Sequence, residues 1–219
     1  MSVAWSYTVL SSFETCPRRH YLTRVTKSVT EPPSEVLTWG REVHKAIEDR
    51  LGGAQLPLPA HLDYLEGVMQ KLTSKHGKRM VEQKFAIDKN FRPVGWRDRN
   101  VWCRGVVDTA IVGVKSAVVV DWKTGKRKPD TDQLKLFAGM MFAHYPYLET
   151  VHTTFIWLKE KKLDADQFEQ DQVGSIWNDF LPRVQRLEAA HQTNTWHPKP
   201  SGLCGKWCPV TKKDCEFGK

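Results

Sequence analysis

The sequence predicts an α/β protein, a sheet flanked by helices, and three observations carry that prediction. Two short, β-branched apolar segments, 106–112 and 117–123, flank Gly113-Val114-Lys115-Ser116, which has the turn chemistry of a four-residue hairpin loop. The apolar-rich segment 130–145 that follows has the length of a buried helix. Further segments with strand and helix periods lie on both sides of this group.

From the N-terminus, residues 6–24 read as helical with a break at Cys16-Pro17, because proline fits the first turn of a helix and not its interior. A polar link at 28–34, with Pro32-Pro33, precedes a helix at 35–51. That helix places Gly40, His44, Ile47 and Leu51 on one stripe, and Gly52-Gly53 stops it. A proline-punctuated loop leads to a helix at 61–76. Strands are expected at 80–88 and 100–112, followed by the hairpin strand at 117–123, the helix at 130–145 and a strand at 150–158. The last long helix spans 172–191, and Pro198, Pro200 and Gly202 open an irregular tail. The 219 residues are expected to form one domain, with a core at about 35–191 and a lobe built from about 1–34 and 192–219.

Lys and Arg number 33 against 25 Asp and Glu, a net charge of +8 that suits a polyanionic partner without proving one. No run of 18 apolar residues exists, and Met1-Ser2-Val3-Ala4-Trp5 lacks a basic region followed by an apolar stretch. Neither a membrane span nor a signal peptide is expected, and a cytoplasmic setting follows.

The charged residues of the hairpin are the candidate site. If Val112 pairs with Ala117, Asp108 falls opposite Asp121 on one face, with Cβ atoms roughly 5 Å apart. Alternation puts Lys123 on the same face and turns Trp122 away. Buried like charges need a cation or a proton between them, and Mg²⁺ or Mn²⁺ is the natural cation for carboxylate oxygens. A merely solvated hairpin end is the alternative, but Ala117-Val118-Val119-Val120 runs apolar and stops abruptly at Asp121. His44, on the inward stripe of its helix, is either a ligand or a packed core histidine. Glu82 alternates away from Val81, Phe85 and Ile87, so it either faces solvent or approaches the metal. Gln133 and Phe137 lie one helical turn apart; packing accounts for Phe137 and leaves Gln133 open.

These residues resemble the motifs of the PD-(D/E)XK nuclease superfamily, in its RecB-type branch. Gly40-Arg41-Glu42-Val43-His44 is similar to the branch's first motif, Gly105-Val106-Val107-Asp108 to the second, Asp121-Trp122-Lys123-Thr124-Gly125 to the third, and Gln133 with Phe137 to the fourth, where the family commonly has tyrosine in place of Phe137. The resemblance covers most of the chain. It implies a restriction-endonuclease-like mixed sheet flanked by helices, and a metal-dependent DNA exonuclease. Asp108, Asp121 and His44 would hold Mg²⁺ or Mn²⁺ with the Trp122 carbonyl, and Glu82 is a further candidate ligand. Asp108, Asp121, Lys123 and Gln133 would be the catalytic group. Lys123, beside two carboxylates, would stay protonated, so orienting water and offsetting phosphate charge suit it better than acting as the base. Rival readings are a structure-specific endonuclease and a non-catalytic nucleic-acid-binding subunit.

Of the 5 cysteines, Cys103 sits in a strand between Trp102 and Arg104 and suits core packing. Cys204, Cys208 and Cys215 are loop thiols, and Cys16, in its Cys-Pro step, is the candidate fourth. A disulfide framework is not expected in a cytosolic chain, and four thiolates can hold zinc or an iron–sulfur cluster. One N-terminal and three C-terminal cysteines around a nuclease core resemble the iron–sulfur subset of RecB-type nucleases, which includes CRISPR-associated exonucleases and helicase–nuclease subunits. The resemblance therefore implies a structural 4Fe-4S cluster, with zinc as the alternative, and recombination or CRISPR-type protein partners. Gaps of three and six residues between the tail cysteines depart from the shorter first gap frequent in that subset. Arg18, Arg19, Lys126, Arg127 and Lys128 are the candidate DNA contacts, although the last three also read as a solvated loop. Exposed tryptophans would stack on unpaired bases and favour single-stranded DNA with free ends.

Overall fold

The structure, a computed structural model, describes residues 3–31, 35–52 and 56–219. Pro32-Pro33 and Gly53, read above as a link and a helix stop, lie outside the described residues. In chain order the elements are α1 (Tyr7–Thr15), α2 (Pro17–His20), α3 (Glu35–Leu51), α4 (Glu66–Thr73), β1 (Lys78–Ile87), β2 (Cys103–Val112), β3 (Ser116–Lys123), α5 (Asp132–His144), β4 (Thr150–Trp157), β5 (Lys162–Glu169) and α6 (Val173–Thr193). A π-helical turn follows α2, and 3₁₀ turns lead into α4 and α6.

Two compact units result. One is continuous, Ser34–Trp177; the other joins Met1–Pro33 to Asn178–Lys219, so the division falls inside α6 and not near residue 191.

The continuous unit is built on a five-stranded sheet in the order β1-β2-β3-β4-β5, parallel between β3 and β4 and antiparallel elsewhere. This mixed sheet flanked by helices is the restriction-endonuclease-like α/β fold. Parallel neighbours need a crossover, and α5 supplies it. One sheet face lies under α5, where Leu134 packs with Phe155 and Trp157. A Cβ at Gly105 would stand 3.1 Å from Phe137, so the bare glycine lets the helix approach β2. The other face lies under α3 and α4, where Val43, Ile47, Leu51, Leu62 and Met69 pack on Ile111, Val120, Trp122 and Ile156. Cover on both faces explains why β3 reads as an unbroken apolar run rather than an alternating one.

The Val112↔Ala117 register is as expected and leaves four residues, 113–116, between the pair, closed by Gly113 N–H to the Ser116 carbonyl at 2.8 Å. β5 was not expected. Its Lys-Leu-Asp-Ala-Asp-Gln-Phe-Glu sequence is charged and mostly exposed, as suits an edge strand that must resist further pairing.

In the discontinuous unit, Ser6 caps α1 and Pro17 opens α2, which places the break where the Cys-Pro step predicts it. Buried His20 stacks on Trp196 beside Phe13 and His191. Glu14 ties α1 to α6 through both oxygens to Arg183 at 2.7 Å.

Candidate active site

Pairing of β2 with β3 stops at Thr109↔Val120, one step short of the two aspartates. There β3 turns away toward β4, and Asp108 fills the fork by accepting the Trp122 backbone N–H at 2.8 Å. The expected Asp108–Asp121 opposition therefore becomes a fork with a carboxylate on each side.

Glu82 is delivered by a break in alternation. Its φ of 50° is a left-handed conformation that bulky residues rarely adopt. Val81 packs against the α3 side, while Phe85, four residues on, packs against His144 and Tyr145 at the end of α5. An unbroken strand would put both on one face. The phase slips at Glu82, so Val81 and Glu82 border the same groove. The sequence reading, which set Val81 and Phe85 together and Glu82 opposite them, is corrected at this point: Glu82 shares its side with Val81.

His44 completes the group. Its Nδ1 lies 3.6 Å from Asp108 Oδ2 and 3.8 Å from Glu82 Oε1. One ligand atom from each of His44, Glu82 and Asp108 falls within 4.8 Å of the others, a donor set that fits a divalent cation. Gly40, one turn before His44, leaves room for Thr124: a Cβ there would stand 2.9 Å from Thr124 Oγ1 and force that hydroxyl to move. Arg41, His44, Glu82, Lys84, Thr124 and Gly125 border a groove of about 1000 Å³ that opens onto this group.

Asp121, buried, stands on the α5 side of the fork. Its Oδ2 contacts Lys123 Nζ at 2.6 Å, as an ion pair without hydrogen-bond alignment. Gln133 bridges the two: its Nε2 donates to Asp121 Oδ1 at 3.0 Å and its Oε1 accepts from Lys123 Nζ at 2.7 Å. Packing does not describe Gln133; it fixes a carboxylate and an ammonium in one line. Phe137, by contrast, is buried against Gly105.

Crowded acids in poor solvent resist ionisation. Burial, then the Asp121 charge, pushes the Asp108 carboxyl up to about 7. Burial raises Asp121 too, against the pull of Lys123. His44 is raised, chiefly by the Glu82 carboxylate. A site that holds excess negative charge and spare protons is one that a cation would relieve.

In the discontinuous unit, Cys16, Cys204, Cys208 and Cys215 line one small cavity walled by Pro198, Pro200 and Val210. Among the described residues no three of these sulfurs come within 4.8 Å of one another. Cys103 is fully buried in β2, and burial raises its thiol well above the usual range.

Three of the five candidate DNA contacts are held by the protein itself. Arg18 donates twice to the Asp214 carbonyl, Arg19 pairs with Glu31 at 2.6 Å, and Arg127 forks onto Asp164. Lys126 and Lys128 are exposed and have no partner among the described residues. Sequence reasoning missed Lys84 and Thr124 at the groove. Their spacing from Glu82 and Lys123 was visible, but the phase slip that aims Lys84 was not.

A family model of the PD-(D/E)XK nuclease superfamily matches residues 4–212, and the chain belongs to that superfamily. It is a nuclease, and its substrate is nucleic acid. Among solved structures, the chain is similar to a candidate exonuclease from Eubacterium rectale, with TM-score 0.51, 10% identity, and coverage of 91% of this chain and 85% of that one. At that identity the likeness shows the fold. The chain also has a weaker likeness to SSO0001, with TM-score 0.40 and 17% identity over 95% of this chain and 84% of the other. No curated protein matches the sequence.

Proposed function

We propose that the protein is a divalent-metal-dependent DNA exonuclease that prefers single strands with free ends. The observation that carries this is the fork: Asp121, Lys123 and Gln133 interlocked on one side, and His44, Glu82 and Asp108 grouped on the other. His44, Asp108 and Glu82, with Asp121, would hold Mg²⁺ or Mn²⁺. Bound there, the ion would acidify an attached water and take up charge developing on the phosphate. Lys123, held by Gln133 and Asp121, places a fixed positive charge beside the reacting phosphate and orients the water.

The four thiols facing one cavity support a structural 4Fe-4S cluster. A single tetrahedral zinc on the same four thiolates is the alternative.

The test is incubation with end-labelled and circular DNA, single- and double-stranded, with Mg²⁺, Mn²⁺ or EDTA. Shortening of linear single strands from an end, stopped by EDTA, is expected. Cleavage of circles would make the protein an endonuclease, and binding without cleavage would make it a non-catalytic subunit.

A further inference from the structure

We propose that Lys84, Arg104 and Trp96 form a substrate subsite beside the reacting centre, in which Trp96 stacks on an unpaired base and the two cations take the flanking phosphates. The inference deepens the reading as a single-strand nuclease and rests on it.

The phase slip at Glu82 makes the subsite. Beyond it, Lys84 borders the groove as Glu82 does. Lys84 pairs with Val106, and Arg104 is two residues further along β2, so the two cations are diagonal neighbours on one face. Lys84 lies two strand residues from Glu82, and Arg104 lies four from Asp108. At strand spacing these are roughly 7 and 13 Å from the acidic group, the reach of one or two nucleotides of an extended strand.

Trp96 is brought to them by a built loop. Asp88 Oδ1 accepts the N–H groups of Asn90 and Arg92, and Phe91, at φ 58°, stacks on Trp177 with ring centroids 4.6 Å apart. Val94 N–H then returns to the Ala86 carbonyl at 3.0 Å. The half-buried indole has Arg104 Cζ 5.4 Å and Lys84 Nζ 5.8 Å from its ring centroid.

These cations differ from several others of the same unit. Arg50, Lys115 and Arg127 each pair with a carboxylate. Among the described residues neither Lys84 nor Arg104 has an acidic partner, and Arg104 Nε is buried with no hydrogen-bond acceptor. Two uncompensated positive charges, bracketing an aromatic face and one step from a phosphodiester-cleaving centre, match a nucleotide's own alternation of base and phosphate. Duplex DNA hides its base faces, so the indole selects for unpaired strands.

The experiment measures binding of a labelled single-stranded oligonucleotide in EDTA, and steady-state cleavage with Mg²⁺. Trp96→Ala should weaken binding and raise KM roughly tenfold with kcat little changed, and Trp96→Phe should restore both, since stacking needs only a ring. Lys84→Ala should lower the slope of log affinity against log salt by about 0.7, the value of one single-strand phosphate contact. Removing single bases along the oligonucleotide should reveal one position whose loss weakens the parent protein and leaves Trp96→Ala unaffected. Equal binding by Trp96→Ala and the parent, or no such position, would overturn the subsite. If Trp96→Ala fails to fold, the salt slope of Lys84→Ala and the abasic series on Trp96→Leu, which keeps apolar bulk without a ring, decide in the same way. A parent protein that neither binds nor cleaves single strands would instead sink the functional reading itself.

Discussion

At the fork each side chain has its own duty, and substitutions should separate them. Asp108→Ala, Asp121→Ala and Lys123→Ala should each abolish cleavage while oligonucleotide binding persists, because these groups serve the transition state more than the ground state. Parental rates in any of them would remove that residue from the site. Glu82 carries a strain on the order of 1 kcal/mol at its φ of 50°. Asparagine tolerates that conformation better. Glu82→Asn should therefore raise the melting temperature of metal-free protein while raising the Mg²⁺ concentration needed for activity, and His44→Ala should raise the metal requirement without the gain in stability. An unchanged metal dependence would return either residue to a packing role. Protonation adds a signed test. Asp108 titrates at about 7 in the fold and near 3.8 when unfolded, so between those values the folded state holds the extra proton and each rise in pH weakens it. In EDTA, Asp108→Asn should be more stable than the parent at pH 8, with the advantage shrinking toward pH 4. Melting curves at both ends measure it, and an advantage that does not change with pH would contradict the raised carboxyl.

Elements are held in place by glycines, and two of them predict opposite signs. A Cβ at Gly139 of α5 would sit 2.9 Å from the Trp177 ring, whereas one at Gly67 of α4 meets nothing within 4 Å. Gly139→Val should cost about 2 kcal/mol by overpacking and reduce activity, because α5 carries Gln133. Gly67→Ala should be neutral or stabilise by about 0.5 kcal/mol through helix propensity. Urea denaturation resolves both. Much of this architecture was legible. The hairpin, its register, α3 and α5 follow from turn chemistry and period, which are local properties, whereas the motif positions were read through the family resemblance. What escaped is non-local. β5 has no apolar period because most of its side chains are exposed. The phase slip at Glu82 depends on how β1 and β2 distort together beside the fork, and alternation, the rule that reads strands, assumes it away. The partners of Arg18, Arg19 and Arg127, namely Asp214, Glu31 and Asp164, lie 12 to 196 residues away and were equally out of reach of a local reading.

For the whole molecule, the four thiols make a compositional prediction. Protein purified without oxygen should be brown with about four irons per chain, and Cys16→Ser should remove the colour as fully as Cys204→Ser, with a lower melting temperature in each. Stoichiometric zinc without iron would replace the cluster, and loss of metal in a Cys103 variant with retention in Cys16→Ser would overturn the ligand set. The same unit has a temporal consequence. Its two segments are separated by the entire continuous unit, Ser34–Trp177. A growing chain can therefore bury the sheet and set the fork before residues 178–219 have left the ribosome, while α1 and α2 wait for their partners. During that interval Leu10 and Phe13, buried in the finished protein, lack their own unit's C-terminal half, and Cys16 waits for three thiols still to be translated. Synthesis order thus lets the fork be built before the thiol cavity can close.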